Sequence, residues 1–170
     1  MRPRKGSLQF YPRKRASKFL PSVNWSTIKT DSQGILGFIT YKVGMATVVV
    51  KDTTDKSMTM GKKIAIPVTI LEAPNMKIFS VRFYKNNIPL KEIIVSSDKE
   101  LKHKLKLPKH SSSDLSNVPS NFDDIRIIAY SLPKQTSVKK TPDLIELAIN
   151  SPNKLEYVKS FLGKEIALSD

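Results

Sequence analysis

From residue 34 onward, apolar and polar positions follow one another at strand spacing. Ile39, Tyr41 and Val43 alternate with Phe38, Thr40 and Lys42, and the apolar run 48–50 follows beyond Gly44. This pattern predicts a strand, a tight turn and a second strand. Residues 52–61 form a polar connection. Ile64, Ile66, Val68 and Ile70 then share one strand face, and Pro67 among them marks an edge strand or a bulge. Ala73-Pro74-Asn75 spells a turn, after which residues 77–84 alternate again. Four strands within about fifty residues is the density of a small barrel or sandwich.

Residues 87–165 carry a different pattern. The stretch 96–107 opens on Ser and Asp and predicts a basic helix bearing Lys99, Lys102, His103, Lys104 and Lys106. Its lysines offer a second polyanion face or simply a solvated helix surface. Residues 111–120 are a polar loop, and 125–130 a short buried strand. Thr141-Pro142-Asp143 predicts a helix start, with a capping hydroxyl, a proline in the first turn and an acid at the positive end. Ser151-Pro152 repeats the device, with Leu155, Val158, Phe161 and Leu162 as an apolar stripe and Gly163 as the stop. Residues 166–170 read as the opening of one more strand. Four antiparallel strands leave two unpaired edges unless another segment closes them.

Upstream of residue 34 no apolar period appears. Pro3, Pro12 and Pro21 discourage helix there. Arg2, Arg4, Lys5, Arg13, Lys14, Arg15 and Lys18 all precede the first acid, Asp31, and these seven charges equal half of the formal net charge of +14. Residues 1–33 therefore read as an extended basic tail, ordered when a partner holds it. A balance this basic attracts polyanions, so nucleic acid or an anionic membrane is the leading partner class. No amphipathic anchor or lipidation signal accompanies the tail, and Lys42 interrupts the most apolar stretch, 35–50, well short of the roughly 18 residues of a membrane span. No membrane partner is expected. Arginine forks bind phosphate oxygens in pairs, whereas lysine is a movable point charge. Phe10 and Tyr11, placed between the clusters, suit stacking on unpaired bases, and Gly6 lets backbone approach a phosphate. The bland alternative is a solvated tail or a generic basic address. Trp25 is expected to pack on its own domain, with base stacking as the alternative.

Candidate chemistry adds little. Without cysteine there are no disulfides, thiolate nucleophiles or Cys-based zinc sites. His103 and His110 lack metal-binding spacing, and Asp123-Asp124 is read as a loop or cap pair. No phosphate-cradling glycine loop, nucleophile elbow or HExxH occurs. Neither catalysis, a cofactor nor a metal is expected.

Several ordered blocks resemble one family, the universal large-subunit ribosomal protein three in its archaeal and eukaryotic form. Arg4-Lys5-Gly6-Ser7-Leu8, Phe10 and Pro12-Arg13-Lys14-Arg15-Ala16 are similar to its N-terminal signature. Gly37-Phe38, Tyr41-Lys42 and Gly44-Met45 resemble the next block, and Lys62-Lys63 with residues 68–74 and Met76 a third. Asp124-Ile125-Arg126, Lys139-Lys140-Thr141-Pro142, residues 154–159 and Leu162-Gly163-Lys164-Glu165-Ile166 look like later blocks. Ala46 and Asn75 stand where the family usually has threonine and proline, and the inserted region is shorter.

The resemblance implies a structural, non-enzymatic constituent of the large ribosomal subunit that binds large-subunit ribosomal RNA, supports assembly and contacts neighbouring ribosomal proteins in the cytoplasmic ribosome. It implies a mainly β fold with an α/β insertion, part of a translation-factor-type β-barrel preceded by the tail. On that basis residues 34–86 are the first half of the barrel and 87–165 the inserted α/β segment, and 166–170 begin a strand completed by another chain. The family continues further, so an N-terminal half of a split version is expected, with a second chain supplying the rest; a cleaved or truncated chain is the alternative. By correspondence Arg2, Arg4, Lys5, Ser7, Phe10, Tyr11, Arg13, Lys14, Arg15 and Lys18 carry RNA contacts, with Lys42 a weaker carry-over. The rival reading is a basic nucleic-acid module outside the ribosome.

Overall fold

The computed structural model describes residues 6–11, 18–108, 115 and 117–169. The fold is mainly β. Among the described residues its strands are β1 (Gly34–Ile35), β2 (Tyr41–Lys51), β3 (Lys63–Glu72), β4 (Met76–Lys85), β5 (Ile88–Ile94), β6 (Asp124–Ser131) and β7 (Leu144–Asn150), and the one α-helix, α1, spans Lys154–Phe161. Five strands form one antiparallel sheet in the order β1-β7-β6-β4-β5, while β2 and β3 pair only with each other. Neither sheet closes on itself.

The five-stranded sheet owns the core. Along β6, Ile125, Ile127 and Ala129 turn to one face, where they pack with Val81 and Phe83 of β4, Leu147 and Ile149 of β7, Trp25 and Val158 of α1. Tyr130 turns to the other face, joining Phe79, Leu101 and Leu132. Apolar side chains on both faces explain why β4 and β6 are buried almost throughout. A register shift between Ile78 and Ser80 makes Phe79 an extra residue on β4. That bulge aims Phe79 at the second cluster, and its carbonyl accepts from the backbone amides of Val95 and Ser96.

Several expectations need correction. Gly44 does not turn the chain: β2 runs straight through it, and the register jumps from Lys42 opposite Leu71 to Gly44 opposite Ile70, leaving Val43 as a bulge. A reversal at Gly44 would forfeit the long ladder that β3 offers. Asn86 and Asn87, both at positive φ (48° and 61°), join β4 to β5, a strand the alternation did not single out. Two consecutive left-handed residues are what a two-residue hairpin requires, and asparagine tolerates them.

The predicted helix over 96–107 is a short 3-10 segment, Lys99–His103. Leu105 and Leu107 both pack on the Phe79–Tyr130 cluster, and side chains two apart share a side only in extended chain. Thr141-Pro142-Asp143 leads into β7, which begins at Leu144, rather than into a helix. Leu144 packs on one core cluster and Ile145, Leu147, Ala148 and Ile149 on the other, in an extended chain that pairing with β6 enforces over the capping signal.

Two other expectations hold, the edge position of Pro67 and the helix after Ser151-Pro152. Pro67 lies opposite Thr47 in β3, which among the described residues pairs with β2 alone. Helix α1 follows Ser151-Pro152, buries Val158 and ends before Gly163, at φ +72°. Ile166 forms a single antiparallel bridge with Met76, their backbone N–H···O bonds measuring 2.8 and 2.9 Å.

Candidate nucleic-acid interface

Of the sequence-predicted RNA-contacting residues, Arg2, Arg4, Lys5, Arg13, Lys14 and Arg15 lie outside the described residues. Ser7, Phe10 and Tyr11 fall together on one 3-10 turn, Leu8–Phe10, where the Ser7 hydroxyl accepts from the Gln9 amide at 3.2 Å. Phe10 is 71% exposed, so its ring faces are open. Lys18 donates to the Ser22 hydroxyl at 3.0 Å, and Lys42 projects from the exposed side of β2. These residues occupy separate places on the molecule, the leading turn, the approach to the core and the ribbon, and form no single pocket.

The approach to the core is firmly held. Trp25 is buried, and its indole N–H donates to the Glu146 carbonyl at 3.0 Å, fixing residues before β1 onto β7. Gly37 packs closely here: a Cβ on it would meet the tip of the Leu147 side chain at 2.9 Å and the Trp25 ring at 3.5 Å. Asn150 donates to the carbonyls of Thr30 and Ser32 at 2.6 and 2.8 Å. Packing of Trp25 on its own domain, one of the two sequence readings, is thus the observed one.

A buried carboxylate joins the ribbon to the sheet. Asp143, with its side chain 1% exposed, accepts from Lys104 at 2.6 Å, from Lys139 at 2.7 and 2.9 Å, and from the Tyr41 hydroxyl at 2.8 Å. Ser131 completes the cluster, its hydroxyl 2.8 Å from that of Tyr41 and accepting from the Asp143 amide at 3.1 Å. Burial opposes ionisation of Asp143, but hydrogen bonds from Lys104, Lys139 and Tyr41 outweigh it and hold the carboxyl below the usual aspartate range. Tyr41 is pushed up to about 12, by burial first and by its acidic neighbour Asp143, against a lowering hydrogen bond from Ser131. Paired in this way, the cluster is a structural clamp. It also takes Lys104 out of the free basic face expected over 96–107.

The same bookkeeping of charge runs across the sheet. Arg82 bridges Glu92 and Glu146 at 2.8 and 3.1 Å, and Arg126 approaches Asp124 and Glu146 at 3.3 and 3.8 Å. Lys77 faces Asp98 and Glu165, Lys154 pairs with Asp124, and Lys134 with Glu100 at 3.0 Å. Asp123 accepts from the Asn86 amide, a loop role. By contrast Lys42, Lys51, Lys62 and Lys63 on or beside the ribbon, and Lys140, make no ion pair among the described residues. Lys85 of β4 and Lys91 of β5 are likewise without an ion pair among the described residues, so lysines open to a phosphate occur on sheet and ribbon alike. Among the described residues no three His, Cys, Asp or Glu side chains gather as a metal site, and no helix is long and apolar enough to cross a membrane.

Sequence reasoning passed over Phe19. Its ring is 78% exposed and carries the Lys139 ammonium 4.7 Å from its centroid. The available signal was an aromatic immediately after a cationic run, the same signal that singled out Phe10 and Tyr11.

Comparison with known proteins gives a consistent picture. The family model for ribosomal protein L3 matches residues 1–106. Proteins named large ribosomal subunit protein uL3 are similar over nearly the whole chain. That of Methanocaldococcus jannaschii is 35% identical over 183 residues, that of Methanosphaera stadtmanae 38% over 184, and that of Archaeoglobus fulgidus 37% over 183. In each comparison 99% of this chain is covered but 54% of the relative, so the chain spans about half the length of the curated relatives it matches.

Proposed function

The chain belongs to the ribosomal protein L3 family, and from that premise we propose that it is a structural constituent of the large ribosomal subunit. In this reading it binds large-subunit rRNA, contacts neighbouring ribosomal proteins and supports subunit assembly in the cytoplasmic ribosome, with no catalytic chemistry of its own. The observation that carries the reading is similarity to uL3 proteins along 99% of the chain. The mechanism is electrostatic clamping. Arg2, Arg4, Lys5, Arg13, Lys14, Arg15 and Lys18 neutralise close-packed phosphates, Ser7 adds a hydrogen bond, Phe10 and Tyr11 stack on unpaired bases, and Lys42 adds a contact from the ribbon. Anchoring by Trp25 and the Asp143 cluster supports this, because a fixed base gives the basic segment a defined direction.

Seven phosphate contacts predict a slope of log K against log salt near −5, at about −0.7 for each contact. Deleting residues 1–20 flattens that slope; an unchanged slope counts against the clamp. For the ribosomal reading itself, the chain co-sediments with large subunits and survives a moderate salt wash. Recovery with chromatin instead would favour the non-ribosomal module.

We further propose that β2 and β3 are the first part of a translation-factor-type barrel, with residues 34–86 as its first half, 87–165 as the insertion and 166–170 leading into a further strand. The supporting features are an unclosed ribbon and the bridge of Ile166 to Met76. The remaining strands belong to the part of the relatives that this chain does not span. Supplied as a separate polypeptide, that part gives a one-to-one complex in which β2 and β3 amides gain hydrogen-exchange protection. Failure of the two to associate would refute the barrel assignment.

A further inference from the structure

A basic cleft lies along the segment that leads into β7. It encloses about 950 Å³ and is lined by His103, Lys134, Ser137, Lys139, Lys140 and Thr141, among others. Ser137 is held at φ 57°, which turns the chain between Lys134 and Lys139 so that lysines from both arms line one opening. The cleft floor is rigid, because Lys139 is tied to buried Asp143 at 2.7 Å. On Lys139 rests the ring of Phe19, which is otherwise largely exposed. In sequence Phe19 directly follows the cationic run 13–18.

We infer that this cleft is a single-stranded RNA subsite, in which Phe19 stacks on one unpaired base while Lys134 and Lys140 bind the phosphates on either side of it. The inference rests on the rRNA-binding reading above and extends it to a site outside the residues that reading names. Three features converge on this ligand. An exposed ring with one side occupied by a lysine has a free side for a base, and every base offers a π-face. Lys140 makes no ion pair among the described residues, and Lys134 is held by one half-exposed pair to Glu100, which a phosphate can replace. At about 950 Å³ and open to solvent, the cleft has room for a base together with its flanking phosphates. An acidic protein segment would satisfy the lysines but leave Phe19 exposed.

The test uses the full chain and a fluorescent twelve-residue oligouridylate, titrated by anisotropy over a range of KCl concentrations. Phe19→Leu lowers affinity roughly 5- to 100-fold while leaving the salt slope unchanged, because stacking releases no counterions. Phe19→Tyr restores the affinity. Lys134→Gln with Lys140→Gln makes the slope shallower by about 1.4, two contacts at about 0.7 each. Both lysines are exposed, so circular dichroism and the melting transition of the variants match the parent. If Phe19→Leu and the lysine pair leave oligouridylate binding unchanged while deletion of residues 1–17 still flattens the slope, the cleft proposal falls and the tail clamp stands. If none of the three variants changes binding, both fall. If the lysine pair weakens binding of polyglutamate but not of oligouridylate, the cleft is a protein-docking site and the proposal is overturned.

Discussion

The five-stranded sheet and the β2–β3 ribbon are built from equally apolar sequence and end in opposite states. On β4, Val81 and Phe83 are fully buried, and Arg82 between them is tied to two glutamates. On β2, Met45 is 65% and Val49 64% exposed, and Lys42 and Lys51 find no acid among the described residues. The central strands of the sheet bury their apolar area within the chain, whereas the ribbon leaves its apolar side chains largely exposed. Apolar residues left exposed in a ladder mark a surface meant to be covered, and lysines left unpaired beside it mark the charge of what lies nearby. A protein whose halves differ in this way is stable through one and makes its contacts through the other.

The largest expected effect separates the two regions directly. Phe83→Ala, in the sheet, costs about 3–5 kcal/mol in urea unfolding, from lost burial plus the cavity left behind. Equal costs for Phe83→Ala and for Val49→Ala in the ribbon would erase the distinction. Next is the joint between them. Asp143→Asn removes the charge that two lysines share and costs about 1–3 kcal/mol, moderated because both ammonium groups keep access to water. A loss of stability confined to the sheet core, with unchanged hydrogen exchange at Tyr41, would show that the cluster does not join the ribbon to it.

Titration sharpens the same joint. Because the folded-state carboxyl of Asp143 lies below its unfolded value, its contribution is present above the ordinary aspartate range and is lost as pH falls through the folded value. Tyr41 behaves in the opposite sense: its contribution is complete below 10 and disappears as pH rises from 10 through about 12. In unfolding measured against pH, Asp143→Asn reduces the acid limb and Tyr41→Phe the alkaline limb. Unaltered limbs in both variants would mean that other groups govern the pH range. The smallest effect belongs to the ribbon: Val49→Ala changes stability by no more than about 0.5 kcal/mol in the chain alone. A substantially larger cost would mean that the ribbon is already covered.

Sequence pattern showed the sheet better than its ends. The buried strand at β6, the strand at β4 and the helix α1 with its Gly163 stop were all readable, because each carries its own period and punctuation. The start of β7 was not readable, since Thr141-Pro142-Asp143 is locally a good helix cap and only pairing with β6 overrules it. The use of Asp143 was equally hidden: its partners Tyr41, Lys104 and Lys139 come from three separate segments, and nothing local links them. Asn86-Asn87 was not singled out from sequence; its role as a hairpin turn shows only in the two positive φ angles and the pairing of β4 with β5. The basic run and the aromatics Phe10 and Tyr11 stood out at once because charge needs no folding to be counted. Phe19 gained meaning from a contact with Lys139, which is distant in sequence.

The distinction between a sheet covered by its own chain and an uncovered ribbon is tested most directly by lysine acetylation footprinting of the chain alone and of the chain within large ribosomal subunits. The account predicts that Lys42, Lys51, Lys63 and Lys140 react freely in the isolated chain and become protected in the subunit, while Lys77 and Lys154 change little. Protection of Lys77 and Lys154, with the ribbon lysines still reactive, would contradict it.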